Sequence, residues 1–132
     1  MPKESADNFS TQNTTKGKHP RLPFVNIKND ILGVDYELSV VFIGDKRSRT
    51  LNRIYREKDK SANVLSFPLS KNEGEIFLNL RRAEREAHNF DKTYEDFVGF
   101  LFIHGLLHLK GMGHGSRMEE QEEKFVKKFK LS

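Results

Sequence analysis

The stretch from Thr93 to Lys110, TYEDFVGFLFIHGLLHLK, constrains the rest of the chain more than any other. Phe97, Val98, Phe100, Leu101, Phe102, Ile103, Leu106, Leu107 and Leu109 leave almost no polar face. Thr93-Tyr94-Glu95-Asp96 has the form of a capping box, and Gly111 and Gly113 follow the last apolar position, so the stretch is predicted to be one helix. A helix apolar nearly all round must be wrapped by other elements, because water on any side would cost it the burial that stabilises it. The remainder has to supply that wrapping from a polar composition: of 132 residues, 36% are hydrophobic and 32% charged. Such a length suggests one small α/β or α+β domain.

Composition also excludes chemistry. With no cysteine, disulfides and thiolate metal sites are ruled out, and a transition metal would need His, Asp or Glu. No run approaches the roughly 18 apolar residues of a membrane span. The N-terminus lacks an apolar signal core, so the chain is expected to remain in the cytoplasm where it is made. A net charge of +4 leans towards an anionic partner such as nucleic acid, or is simply a basic surface.

Residues 1–21 carry no periodic apolar pattern and are expected to be a flexible polar tail with a solvated His19; residues 22–132 form the domain. LPFVNIKNDILG predicts a helix, with Pro23 near its start, Gly33 at its end, and Phe24, Ile27 and Ile31 on one face. DYELSVVFIG predicts a strand. Tyr36, Leu38, Val40 and Phe42 alternate, and Val41 and Ile43 make its end apolar on both sides. DKRSRTLNRIYREK predicts a helix with Leu51, Ile54 and Tyr55 as its buried stripe. NVLSFPLS predicts a strand ending at or near Pro68, and EIFLN another after a Lys71–Gly74 loop. NLRRAEREAHNF predicts a charged helix, with His88 exposed or at its end. A second capping box, Ser116-Arg117-Met118-Glu119, opens a last helix whose glutamates come early and lysines late.

Three of the five histidines lie in HGLLHLKGMGH. His104 and His108, four apart, fall one helical turn apart on one face. Gly111 lets the chain turn sharply, and His114 can fold back to the same point. The spacing H-x3-H-x2-G-x2-H is that of zinc peptidases with three histidine ligands. Three neutral imidazoles favour zinc, although Ni, Co or Cu could bind, and three protein ligands leave a fourth position open for chemistry. In those peptidases glutamate follows the first histidine as general base. Gly105 stands there instead, which weakens a peptidase reading.

The other informative segment is LNRIYREKDKSANVLSFP, Leu51–Pro68. Arg56 ends a basic helix and Lys58 and Lys60 follow, a grouping able to clamp a phosphate. The competing reading is a solvated basic face partnered by Asp59 and Glu57.

LNRIYREKDKSANVLSFP, then GEIFLN, then HGLLHLKGMGH resemble, in order and spacing, the YbeY family of bacterial ribosomal RNA maturation factors. The resemblance runs from about Tyr36 to the C-terminus. It implies an α+β fold: a small mixed β-sheet packed with helices, with a zincin-like central helix carrying the metal histidines His104, His108 and His114. It implies one Zn2+ per chain and a single-strand-specific endoribonuclease. Its implied partners are single-stranded RNA, the 3′ end of small-subunit (16S) rRNA, and the ribosome or its proteins in quality control, with no membrane. Arg56 then takes a catalytic or RNA-contacting role, and Lys58 and Lys60 guide the RNA backbone. Two positions depart from the family. Leu22–Gly33 is shorter than its N-terminal region, so that a sheet edge is missing or is supplied by the polar tail. Gly113 stands where aspartate usually precedes the third histidine. The rival functions are a non-catalytic ribosome-assembly factor with a stabilising metal and, more distantly, a metallopeptidase.

Overall fold

The structure is a computed structural model that describes residues 3–6 and 8–132. Its elements follow in the order β1 (Lys3–Ala6), β2 (Phe9–Asn13), α1 (Phe24–Leu32), β3 (Glu37–Ile43), α2 (Asp45–Arg56), β4 (Val64–Ser70), β5 (Glu73–Asn79), α3 (Leu80–Glu86), α4 (Tyr94–Leu109) and α5 (Ser116–Lys128), with a 3-10 turn at Ala87–Phe90. The strands make one mixed sheet in the order β1-β2-β3-β5-β4. β2, β3 and β5 run parallel, and β1 and β4 pair antiparallel at the two edges.

β3 shows why helices cover both faces. Leu38, Val40 and Phe42 point to one side, where α1 and α4 complete the main core, while Val41 and Ile43 point to the other and meet Leu65, Phe77 and the half-buried Leu51 of α2. α4 lies at the centre, as its composition requires: Phe97, Val98, Phe102, Ile103 and Leu106 have no exposed surface. Each such side chain contributes about 1.5–3 kcal/mol of burial before chain entropy is counted. Thr93 caps α4 by accepting a hydrogen bond from the Asp96 amide at 3.1 Å, as predicted.

Four expectations are corrected. The stretch expected to be a tail supplies β1 and β2, the missing edge of the sheet. β2 lies parallel to β3, with Phe9 opposite Leu38. Its inward residues are Phe9, Thr11 and Asn13, so two of three buried positions are polar and no apolar alternation betrays it. Asn13 satisfies its buried amide locally, donating to the Gly17 carbonyl at 2.7 Å and accepting from Thr15. His19 is half-buried and its ring stacks on Phe42 at 4.6 Å. Residues 1, 2 and 7, also part of the expected tail, lie outside the described residues.

The second correction concerns α2. Ser48 and Asn52 are its buried residues, and Ile54 and Tyr55 are exposed. Third, β4 runs past Pro68 to Ser70, with a register irregularity between them. An edge strand tolerates proline because its missing N–H can face away from the ladder. Fourth, Ser116 does not cap α5. Gly115 occupies the cap, and its carbonyl accepts from the Glu119 amide at 3.1 Å. His88 is exposed, as expected.

Candidate metal centre

α4 places His104 and His108 one turn apart, and their Nε2 atoms are 3.1 Å from each other. The other ring nitrogens assign the tautomers. His108 Nδ1 lies 3.0 Å from the Met112 carbonyl, and His104 Nδ1 lies 2.6 Å from a Glu122 carboxylate oxygen. Carbonyl and carboxylate only accept, so each Nδ1 donates its proton and each Nε2 presents a lone pair. Two lone pairs facing at 3.1 Å repel unless a cation lies between them. Nitrogens sharing a tetrahedral zinc at 2.0–2.1 Å would sit roughly 3.3 Å apart. The donor set therefore fits a metal ion.

His114 completes the group. Gly111, at φ 103°, turns the chain off α4, and the His114 ring comes to 4.7 Å from that of His108 and 5.3 Å from that of His104. Among the described residues, His104, His108 and His114 could hold a metal ion, with one nitrogen from each within 4.8 Å of the others. Burial, and next the neighbouring His104, push the His108 pKa down. The ring is thus kept neutral, as a ligand must be.

Glu122 is the site residue that the motif does not announce. It sits on α5, 18 residues from His104, and only 11% of its side chain is exposed. A signal was present: Met118, Glu122, Phe125 and Val126 form the buried stripe of α5, and a carboxylate in an apolar stripe implies a partner.

Gly105 is explained by packing. A Cβ there would meet Ser66 Oγ at 2.9 Å, Ile76 Cδ1 at 3.1 Å and Val64 Cγ2 at 3.3 Å. α4 approaches β4 so closely that the Gly105 carbonyl accepts from Ser66 Oγ at 3.0 Å. The position faces the sheet, and the glutamate of a zinc peptidase could not stand there.

The histidines open into a cleft of about 560 Å³ that Arg56, Lys58 and Lys60 also line. The structure thus brings both predicted groups to one cavity. Arg56 ends α2, and one Nη donates to the Ser66 carbonyl on the outer edge of β4 at 2.6 Å. Its guanidinium lies over the Phe67 ring, 5.0 Å from the centroid. The loop carrying the lysines is pinned by the buried polar residues of α2: Asn52 donates to the Lys60 carbonyl at 2.9 Å, and Ser48 bonds both the amide and carbonyl of Ala62 at 2.8 Å. The expected pairing of this basic face with Asp59 goes elsewhere, since Asp59 takes a two-point bond from Arg49 at 2.8 and 3.0 Å. Glu57 is the left-handed cap of α2. Among the described residues, no carboxylate forms an ion pair with Arg56, Lys58 or Lys60.

The chain is similar to proteins already known. A protein-family model described as endoribonuclease YbeY matches residues 5–130. A protein of Nautilia profundicola named endoribonuclease YbeY is 34% identical over 116 residues, covering 81% of this chain and 84% of the relative. Relatives of the same name from Alkaliphilus metalliredigens and Agrobacterium fabrum are 36% and 41% identical, and the matches cover 67% and 65% of this chain. The chain spans only 64% and 56% of the lengths of those two. A Thermotoga maritima protein solved in solution superposes with a TM-score of 0.65 at 26% identity, covering 92% of this chain and 88% of that one. No helix among the described residues is long and apolar enough to cross a membrane. The chain belongs to the endoribonuclease YbeY family.

Proposed function

We propose that this protein is a zinc-dependent endoribonuclease that cuts single-stranded RNA in the cytoplasm, acting on the 3′ end of small-subunit (16S) rRNA and in ribosome quality control. The observation that carries this reading is the shared cleft, lined by three histidines with the donor geometry of a metal site and by the cationic fork of Arg56.

His104, His108 and His114 would hold the zinc. Zinc bound there supplies Lewis acidity and lowers the pKa of water to about 7. Arg56 binds the phosphate. Its bond to Ser66 and its stacking on Phe67 fix the guanidinium plane, and the N–H groups not used by Ser66 neutralise charge building on the phosphoryl oxygens. Lys58 and Lys60 guide the RNA backbone on either side, which makes binding salt-dependent. Family membership supports an RNA substrate, and Gly105 in place of a peptidase base weakens the competing peptidase reading.

The test is cleavage of single-stranded and duplex RNA by metal-loaded protein. Loss of cleavage in His104→Ala, and a drop of about 100-fold or more in Arg56→Ala, are expected. Undiminished cleavage by His104→Ala would refute the metal-dependent reading. Gly113 favours one alternative, a non-catalytic ribosome-assembly factor stabilised by its metal, because no side chain precedes the exposed His114 to orient it. That alternative predicts tight RNA binding without cleavage.

A further inference from the structure

The cleft accounts for Arg56, Lys58 and Lys60 but not for the apolar surface beside them. α2 buries Ser48 and Asn52, and its last turn reaches the edge strand β4, where Arg56 bonds Ser66 and Tyr55 meets Phe67. Among the described residues no strand lies beyond β4, and Tyr55 is 64% exposed and Ile54 59%. Tyr55 is nevertheless held in place. Its ring meets Phe67 edge-on at 5.4 Å, and Phe67 in turn meets Phe77 at 5.7 Å. Phe67 is also the ring under the Arg56 guanidinium. One buttressed phenyl ring thus positions both a phosphate-directed fork and an exposed aromatic face.

We infer that Tyr55 is a stacking platform for a base of single-stranded RNA next to the phosphate held by Arg56. The inference rests on the RNA reading above and identifies what would make the site prefer single strands. Charge selects the occupant. Arg53, Arg56, Lys58 and Lys60 lie within five residues of Tyr55 along the chain, all exposed and, among the described residues, without a carboxylate in ion-pair contact. An apolar protein face would have to desolvate these cations, whereas a polynucleotide offers phosphates to them and a flat base to the ring. Duplex RNA hides its base faces inside the stack and can offer only backbone and groove edges.

The chain contains no tryptophan, so Tyr55→Trp places a single, selectively excitable tryptophan on the platform. Val34→Trp, at a position 57% exposed and outside the cleft lining, is the control. Both are titrated in chelator with a single-stranded RNA 12-mer and with inorganic polyphosphate, while anisotropy of labelled RNA reports binding independently of cleavage. Quenching by RNA but not polyphosphate is expected for Tyr55→Trp, with no change for Val34→Trp. Tyr55→Ala should weaken single-strand binding by roughly tenfold, with about 5- to 150-fold as the bounds for one stacked base, and Tyr55→Phe should retain it. RNA bound by anisotropy but with an unquenched Tyr55→Trp, or with full affinity in Tyr55→Ala, would overturn the platform while leaving the RNA reading intact. No binding of RNA by the unaltered protein would overturn both. A dimer seen by sedimentation and lost in Tyr55→Ala would assign the patch to a second copy of the chain and overturn the proposal.

Discussion

Replacing Glu122 tests whether the carboxylate behind His104 prepares the metal site or merely fills space. Its oxygen lies 2.6 Å from His104 Nδ1, in a position only 11% exposed, so the bond is charge-assisted and shielded from water. In Glu122→Ala the imidazole loses the acceptor that fixes both its tautomer and its plane. Partners of this kind are worth about 10- to 100-fold in metal affinity, or about 1.4–2.7 kcal/mol. Glu122→Gln keeps a neutral acceptor that holds the same tautomer. A neutral hydrogen bond is about half as strong, so the loss should be roughly three- to tenfold. Metal-free stability should change by less than about 1 kcal/mol in Glu122→Gln, because His104 is 22% exposed and can turn to water. The assay is zinc competition against a chromophoric chelator, with metal-free thermal melts as the control. Zinc affinity in Glu122→Ala equal to that of the unaltered protein would refute the reasoning.

Three further outcomes are expected. Gly105→Ala drives a methyl to 2.9 Å from Ser66 Oγ. It should cost about 1–2 kcal/mol by denaturant unfolding, the overpacking outweighing the roughly 1 kcal/mol gained in helix propensity; a stabilised variant would show that the interface yields. Arg85, aided by Asn79, holds the Asp45 carboxyl well down, from an ordinary 3.8 to about 2. Its contribution is therefore full above pH 3.8 and lost as pH falls towards 2. Asp45→Asn should flatten that acid limb by on the order of 1 kcal/mol, the figure left after allowing for solvent screening of a half-exposed pair. A Cβ at Gly113 meets nothing within 4 Å. Gly113→Asp should leave unfolding unchanged within about 0.5 kcal/mol and raise zinc affinity by up to about tenfold, measured by the same chelator competition.

How much was legible in the sequence depended on how local the signal was. α4 and its histidines could be read because nine apolar positions, a cap and two glycines lie within one short stretch, and the helix itself brings His104 and His108 together. The basic cluster of Arg56, Lys58 and Lys60 is likewise a local signal, and its place beside the histidines is not. β2 was not, because Thr11 and Asn13 are buried polar residues, Asn13 with its side chain hydrogen-bonded, and a hydrophobic pattern cannot register them. The buried stripe of α2 was misplaced, because Ser48 and Asn52 are polar residues buried by bonds to Ala62 and Lys60, and because exposure of Tyr55 depends on where the sheet stops. Glu122 and the bond from Arg56 to Ser66 join separate elements, so they exist only once α5 and β4 have packed.

The guanidinium of Arg56 has a second consequence through the strand it touches. β4 is an open border of the sheet, and an open border invites another copy of the chain to add a strand and grow an aggregate. Pro68 removes one donor from that border, and Arg56 occupies the Ser66 carbonyl beside it. The residue proposed to bind phosphate is thus also a guard against self-templating. Truncating it would free an acceptor on the very strand where copies could join. Solubility and activity are thereby linked through one side chain, and the colloidal behaviour of Arg56→Ala should worsen even where its fold is intact.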